Sequence, residues 1–435
     1  MSDDLTVGAW LPNGWERGFT DEEKSLIAES DLDLLLVPEN HDQWDNREQW
    51  KRTADELGVA LYVGLEDGDW IRGVFYDPAT ATDFTYTKHS TAGKLALEQD
   101  SWDPETALKT TDFRGTTVGT TICHDQYLAP FMGYEGLAGA SLLVNISARP
   151  VVPKKWGEVL QARAIENSAY VVCTMHGAEQ DGTVKRGNKG HVFAFDPFGD
   201  PLSLTELRTD EERGLFETTS DNIYTFAIDR ARSSAAQRTL TKQQERPPIT
   251  RIQNSTSESA ELSDPRFSVQ GDYTGLHITF GDESATITNM ESQEFALGDE
   301  ELYLVAVEAE AILEPERLYR EVLAVPGIEN KRLVILNHWP EIDSEYHQNV
   351  IEPVLRARCV EWASPALSIA PDHSSAYQVW YAKNSSCMIP DDDGKFQFFL
   401  HAARGVSSAL DPVDHNSDSL IEVAKACETR RADSD

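Results

Sequence analysis

The segment VGTTICHDQY, residues 118 to 127, ends an apolar, strand-like run in a cysteine, followed at once by His124 and Asp125. A thiol in such a place is a packed core residue, a metal ligand or a nucleophile. As a nucleophile it attacks only as thiolate, so it needs a base or a cation beside it. His124 is adjacent, but neighbours on a strand face opposite sides, and a cysteine and its base normally meet through the fold. A metal site would have to recruit Cys173 or His176 without any paired Cys-x-x-Cys spacing. Cys173 also lies in an apolar run, where a buried thiol is the ordinary occupant. Two further strand ends carry charge. LLLVPEN delivers Glu39 after an apolar run and a proline, and DFTYTKHS delivers Lys88 in a chain with 14 Lys against 24 Arg. Each of these, taken alone, reads as a solvated charge at a loop.

The elements that would position these residues alternate between strand and helix. LTVGAW, DLLLVPEN, VALYVG, TTVGTTIC, ASLLVNIS and AYVVCTMHG are short apolar runs of strand length. REQWKRTADELG has helical spacing and closes at Gly58. In PKKWGEVLQARAIENS, Trp156, Val159, Leu160 and Ala164 share one helical face. GHVFAFDPFGDPL alternates and then turns at Pro197 to Gly199, and IYTFAIDRARSSAAQR adds a strand with a helical tail. The alternation implies an α/β fold with covered sheets. Residues 243–265 are rich in Pro, Ser, Thr and charge and read as a linker between residues 1–242 and 266–435. Past it, ELYLVAVEAEAI, PERLYREVLAV, KRLVILNHW, EYHQNVIEPVLRARCVEW and AYQVWYA predict a second α/β or α+β domain. The chain closes in an amphipathic helix with a polar tail. No internal repeat is legible.

Taken together, Glu39, Lys88 and Cys123 form a recognisable pattern: the sequence resembles the nitrilase superfamily of carbon–nitrogen hydrolases from about residue 5 to about 245. VPEN is similar to the segment carrying that family's general base, YTKHS to the segment of its lysine, and GTTICHDQY to that of its nucleophile. YEGLAGASLLVNIS, WGEVLQARAIENSAYVVCTMHG and GHVFAFDPFGDPL follow in the family's order. The resemblance implies a four-layer α-β-β-α sandwich and catalysis by Glu39, Lys88 and Cys123 without metal or organic cofactor. It also implies an accessory glutamate ahead of the cysteine, for which Glu98 is the choice and Glu105 the rival. The backbone N–H of His124 would face the substrate oxygen. Arg149, in the loop SARPVVPKKW, is a candidate clamp for a substrate carboxylate, and His41 and Trp44 are candidate pocket residues. The implied activity is hydrolysis of a small amide, carbamoyl compound or nitrile, with amide preferred. Acyl transfer to an amine and a non-catalytic scaffold are the alternatives. Relatives assemble through helices flanking the sheet, so a homo-oligomer is expected.

Composition narrows the setting. The 435 residues carry 38 Lys plus Arg against 74 Asp plus Glu, a formal net charge of −36. Such a surface repels phosphate, which argues against nucleic acid and anionic membrane as partners. Abundant acid with scarce Lys looks like the composition of salt-loving organisms, since at 1 M salt the Debye length is only about 3 Å and self-repulsion is screened. Hydrophobic content of 40% with ten Trp is enough for packed cores. Five Cys, widely spaced, fit reduced thiols better than a disulfide framework. The N-terminus MSDDLTVGAW lacks a secretory layout, and a cytoplasmic location is expected.

Overall fold

The apolar runs of the first half become strands because both of their faces find cover. In the computed structural model, which describes residues 4–377 apart from short breaks and the longer stretches 96–109, 177–189, 233–258, 319–331 and 339–349, two sheets lie face to face. The first is built from β1 (Leu5–Leu11), β2 (Leu34–Gln43), β3 (Ala60–Asp67), β4 (Trp70–Asp77) and β5 (Thr82–Thr87). A short hairpin, β6 (Ser90–Thr91) with β7 (Lys94–Leu95), follows. The second sheet contains β8 (Thr110–Phe113), β9 (Thr116–Ile122), β10 (Leu142–Ser147), β11 (Tyr170–Met175), β12 (Gly190–Phe195), β13 (Thr209–Asp210) and β14 (Leu215–Thr218). β15 (Asn222–Ile228) then returns to the first sheet and pairs antiparallel with β1, giving the order β15-β1-β2-β3-β4-β5.

The period of two along a strand distributes side chains between layers. On β2, Leu34 and Leu36 face the second sheet and pack with Val118, Ile122, Val144 and Ile146. Leu35 and Val37 face outward, under Ile27 of α1 (Asp21–Glu29) and Trp50 and Ala54 of α2 (Arg47–Leu57). α1 starts at a capping box between Thr20 and Glu23, and α2 ends at Gly58 in the left-handed conformation, φ 68°. The outer face of the second sheet is covered by α3 (Ala129–Leu137) and α4 (Pro153–Asn167), where Trp156, Val159, Leu160 and Ala164 are buried. The fold is therefore an α-β-β-α sandwich. The parallel strands β2, β10 and β11 are buried almost throughout, as strands covered on both faces must be.

Beyond the first sandwich lie two more sheets. β16 (Ser259–Glu261), β17 (Phe267–Asp272), β18 (Gly275–Phe280) and β19 (Glu283–Ile287) form an antiparallel sheet, so β16 falls inside the stretch that composition marks as linker. β20 (Ser292–Leu297), β21 (Glu300–Glu308), β22 (Arg332–His338), β23 (Ala366–Ala370) and β24 (His373–Tyr377) form a mixed sheet, with α5 (Glu352–Trp362) between β22 and β23. The expected helix near the C-terminus lies outside the described residues. Among the described residues no helix is long and apolar enough to cross a membrane.

Candidate active site

Strands β2, β5 and β9 bring Glu39, Lys88 and Cys123 to one rim of the two sheets, with Glu39 inside β2 and not at its end. Glu39 lies on β2 where that strand's register against β3 is interrupted, between Val37 and Asp42. The next residue, Asn40, is left-handed with φ 52°. Gly64 of β3 permits this path: a Cβ there would stand 2.4 Å from the Glu39 Cα. Lys88 follows β5, its backbone N–H donating to the Ile71 carbonyl at 2.9 Å. Cys123 opens a 3-10 turn, Cys123–Tyr127, directly after β9.

The three side chains meet. Lys88 Nζ donates to Glu39 Oε1 at 2.6 Å, and the Ala148 backbone N–H donates to Glu39 Oε2 at 2.8 Å. The Cys123 thiol lies close enough to the same carboxylate for the two groups to interact. Glu39, Lys88 and Cys123 are 1%, 5% and 8% exposed, so their charges interact with little water between them. Burial pushes the Cys123 thiol up, Glu39 adds to the rise, and Lys88 opposes it. The resting group is thus a protonated thiol beside a carboxylate, not a free thiolate. Burial works against the Lys88 ammonium, but the charge of Cys123, once it ionises, and that of Glu39 outweigh it and hold its proton more tightly than usual.

The turn that carries Cys123 is held from several sides. Cys123 has φ 52°, left-handed backbone that costs of order 1–3 kcal/mol for a non-glycine residue. Asn145 on β10 fixes it by donating Nδ2–H to the Cys123 carbonyl at 3.2 Å and to Thr121 Oγ1 at 3.0 Å. Asn145 Oδ1 in turn accepts from Ser147 Oγ at 2.9 Å and from Cys173 Sγ at 3.3 Å. Tyr86 donates its hydroxyl to Asp125 Oδ2 at 2.6 Å. Arg163 on α4, fully buried, donates Nε–H to the Gln126 carbonyl at 2.9 Å. Glu135 on α3 accepts the Thr120 backbone N–H at 2.9 Å; burial pushes its carboxyl well up, so it braces β9 away from the reacting rim.

The other residues singled out from sequence fall in different places. His124 is buried with its ring 6.0 Å from that of Trp156, and burial followed by the Lys88 charge pushes its imidazole well below the ordinary value. It is a poor base, and its side chain lies in the packed layer under α4. Cys173 is a buried thiol raised by burial to about 12, and among the described residues no group of three His, Cys, Asp or Glu could hold a metal ion. Trp44 is half-buried beneath the guanidinium groups of Arg47 and Arg72. Glu98, Glu105 and Arg149 lie outside the described residues.

His41 is fully buried between Trp10, Trp50 and His176, with Nε2 bonded to the Arg17 carbonyl at 2.8 Å, and burial pushes its imidazole down to about 4. The unfolded chain takes up a proton here as pH falls through the ordinary value of 6.5, while the folded chain does so only near 4. His41 therefore contributes stability above that window and loses it across the window as pH falls. The urea midpoint is expected to drop between these two values, and His41→Gln, which still donates to Arg17, should drop less. Equal slopes for the two proteins would show that His41 does not titrate this way.

Residues 28–235 match the family model described as carbon-nitrogen hydrolase. The hydrolase in the agr operon of Staphylococcus lugdunensis is 25% identical over 216 residues, 43% of this chain and 87% of the relative. Among solved structures, an amidase from Nesterenkonia sp. AN1 aligns at 16% identity and TM-score 0.42, over 55% of this chain and 96% of the amidase. A carbon–nitrogen hydrolase from Helicobacter pylori G27 aligns at 14% identity and TM-score 0.44, over 56% of this chain and 95% of its own.

Proposed function

We propose, with residues 28–235 forming a carbon–nitrogen hydrolase domain, that this protein hydrolyses a small amide or carbamoyl compound through a thioester on Cys123. The observation that carries the reading is one buried carboxylate, Glu39, bonded to the Lys88 ammonium and the Ala148 N–H and interacting with the Cys123 thiol. As sulfur attacks the carbonyl carbon, the thiol proton passes to Glu39. The oxygen of the tetrahedral species takes up the negative charge and is held by Lys88 and the backbone N–H of His124. One well-placed donor of this kind is worth roughly 3–4 kcal/mol. Glu39 then gives its proton to the departing nitrogen, the C–N bond breaks, and ammonia or an amine leaves a thioester behind. Water attacks next, again delivering its proton to Glu39, and the acid departs with the thiol restored. In this scheme Glu98, or Glu105, is the accessory carboxylate and Arg149 the clamp for a substrate carboxylate. The expected setting is the cytoplasm, with further copies of the chain as partners.

The test is incubation with a panel of small amides at molar salt, followed by intact-mass measurement. An acyl group on Cys123, together with release of ammonia or amine, is the expected result. Rate acceleration by added amine, with a conjugated product, would show acyl transfer instead. No acyl adduct and no turnover from any amide, nitrile or carbamoyl compound, with Cys123 still open to alkylation, would sink the hydrolase reading.

A further inference from the structure

The sheet β20–β24 repeats, strand for strand, the part of the second sheet that carries Cys123. From β8 to β12 the pairings run antiparallel, parallel, parallel, antiparallel, and from β20 to β24 they run the same way. In both, a 3-10 turn follows the second strand, Cys123–Tyr127 in one and Glu310–Leu313 in the other. A helix joins the third strand to the fourth in both, α4 and α5. The registers agree as well. Asn145 pairs with Thr121 on one side and Cys173 on the other, and Asn337 pairs with Val307 and Ser368. Both asparagines are fully buried. Matching them sets Thr121 on Val307, a shift of 186 residues, and Cys173 on Ser368, a shift of 195.

Sequence and side chains obey those same shifts. VLQARAIENS, residues 159 to 168, and VLRARCVEWA, residues 354 to 363, stand 195 apart. They agree at Val159 and Val354, Leu160 and Leu355, Ala162 and Ala357, Arg163 and Arg358, and Glu166 and Glu361. The first four of these pairs are buried. Arg163 donates to the Gln126 carbonyl at 2.9 Å and Arg358 to the Ile312 carbonyl at 3.0 Å; Gln126 and Ile312 are related by the 186-residue shift of their strands. Two buried guanidinium groups thus hold equivalent carbonyls in equivalent turns. The second copy is not built for the same chemistry. The residue 186 beyond Cys123 is Ala309, and the sheet preceding it, β16–β19, is antiparallel throughout, whereas Glu39 comes from a strand paired in parallel.

α4 and α5 pack on each other, and the two arginines meet at one carboxylate. Glu166 accepts Arg163 Nη1 at 2.6 Å and Arg358 Nη2 at 2.6 Å, all three side chains at most 1% exposed. Equivalent helices meeting by equivalent faces is the arrangement of an isologous subunit contact, here between two parts of one chain. We propose that β20–β24 with α5 is an internal, catalytically empty copy of the Cys123-bearing sheet, and that it docks on α4 so that Arg358 is a positioning residue for the Cys123 turn. Arg358 supplies the second cation that Glu166 needs in a site without water, which keeps Arg163 aligned on the Gln126 carbonyl and the turn in its left-handed start. Any assembly of whole chains must then use a face other than that of α4.

The test compares the full-length protein with Arg358→Met and Arg358→Lys. The Lys variant keeps the charge but cannot span both Glu166 and the Ile312 carbonyl. The readouts are the rate of Cys123 alkylation by iodoacetamide, followed by peptide mass, and amide hydrogen exchange over residues 123 to 127. Arg358→Met is expected to speed alkylation of Cys123 at least tenfold and to raise exchange in that turn, with Arg358→Lys in between. If Arg358→Met does not fold, Arg358→Lys alone is read in the same way. Unchanged alkylation and exchange in a folded variant would overturn the proposal, even with a lowered melting temperature. Neither readout needs a substrate, so this inference and the hydrolase reading can fail independently.

Discussion

Cys123→Ala is expected to lower amide turnover by on the order of 10⁶-fold, the loss seen when a covalent nucleophile is removed from a preassembled site. What survives is the binding and oxyanion contribution of Lys88 and the His124 N–H, which do not depend on sulfur. The variant should fold, because Ala fits the buried space and the Cys123 carbonyl keeps its bond from Asn145. A melting temperature within a few degrees of the parent, with no acyl adduct in the mass spectrum, is the expected pair of results. Turnover within tenfold of the parent would remove Cys123 from the reaction, whatever its surroundings look like.

Glu39→Gln should cost both catalysis and stability, for one physical reason. Glu39 accepts from Lys88 on one oxygen and from the Ala148 N–H on the other. An amide has one acceptor oxygen, so its NH₂ must face either an ammonium or an N–H. The Lys88 ammonium, 5% exposed, then loses its counter-charge in place, and breaking a buried pair by removing one partner typically costs about 3–5 kcal/mol. Catalytically, the amide neither takes the thiol proton nor returns it to the leaving nitrogen, and a rate loss of about 10⁴-fold is expected at the upper end for general acid–base groups. The measurements are kcat/KM and urea denaturation of the same preparation. A variant with parental stability would mean that Lys88 has found another acceptor and that the ion pair is not what holds this rim.

The parts of this site that could be read from the sequence are those written as local pattern. An apolar strand broken by Pro38 and a charge, a scarce lysine after an alternating run, and a cysteine at the end of TTVGTTIC are visible one segment at a time. The α/β class with covered sheets was equally legible, because strands buried on both faces leave continuous apolar runs such as LLLV and LLVNI, whereas the four-layer sandwich followed only from the family resemblance. The bracing of the nucleophile was not. Asn145, Tyr86 and Arg163 act on Cys123–Tyr127 from other strands and from a helix; the family resemblance marks the segment around Arg163 but not its part in the turn, and nothing in the neighbourhoods of Asn145 and Tyr86 distinguishes them from ordinary polar residues. Reading Cys123 as the last residue of a strand also missed that it begins a tight turn, since φ depends on the contacts around it. The internal copy escaped notice for a related reason. Its loops differ in length, so the shift changes from 186 to 195 between strands, and only VLQARAIE against VLRARCVE remains as a written trace. The antiparallel sheet β16–β19 offers mostly short polar-apolar alternation and no long apolar run that would have marked it.

The left-handed backbone at Cys123 bears on where this protein carries strain. Glycine adopts that conformation without steric strain, so the proposed nucleophile sits where a thiol costs the backbone more torsion than glycine would. Under the hydrolase reading, that strain is borne at the one position where the chemistry calls for sulfur.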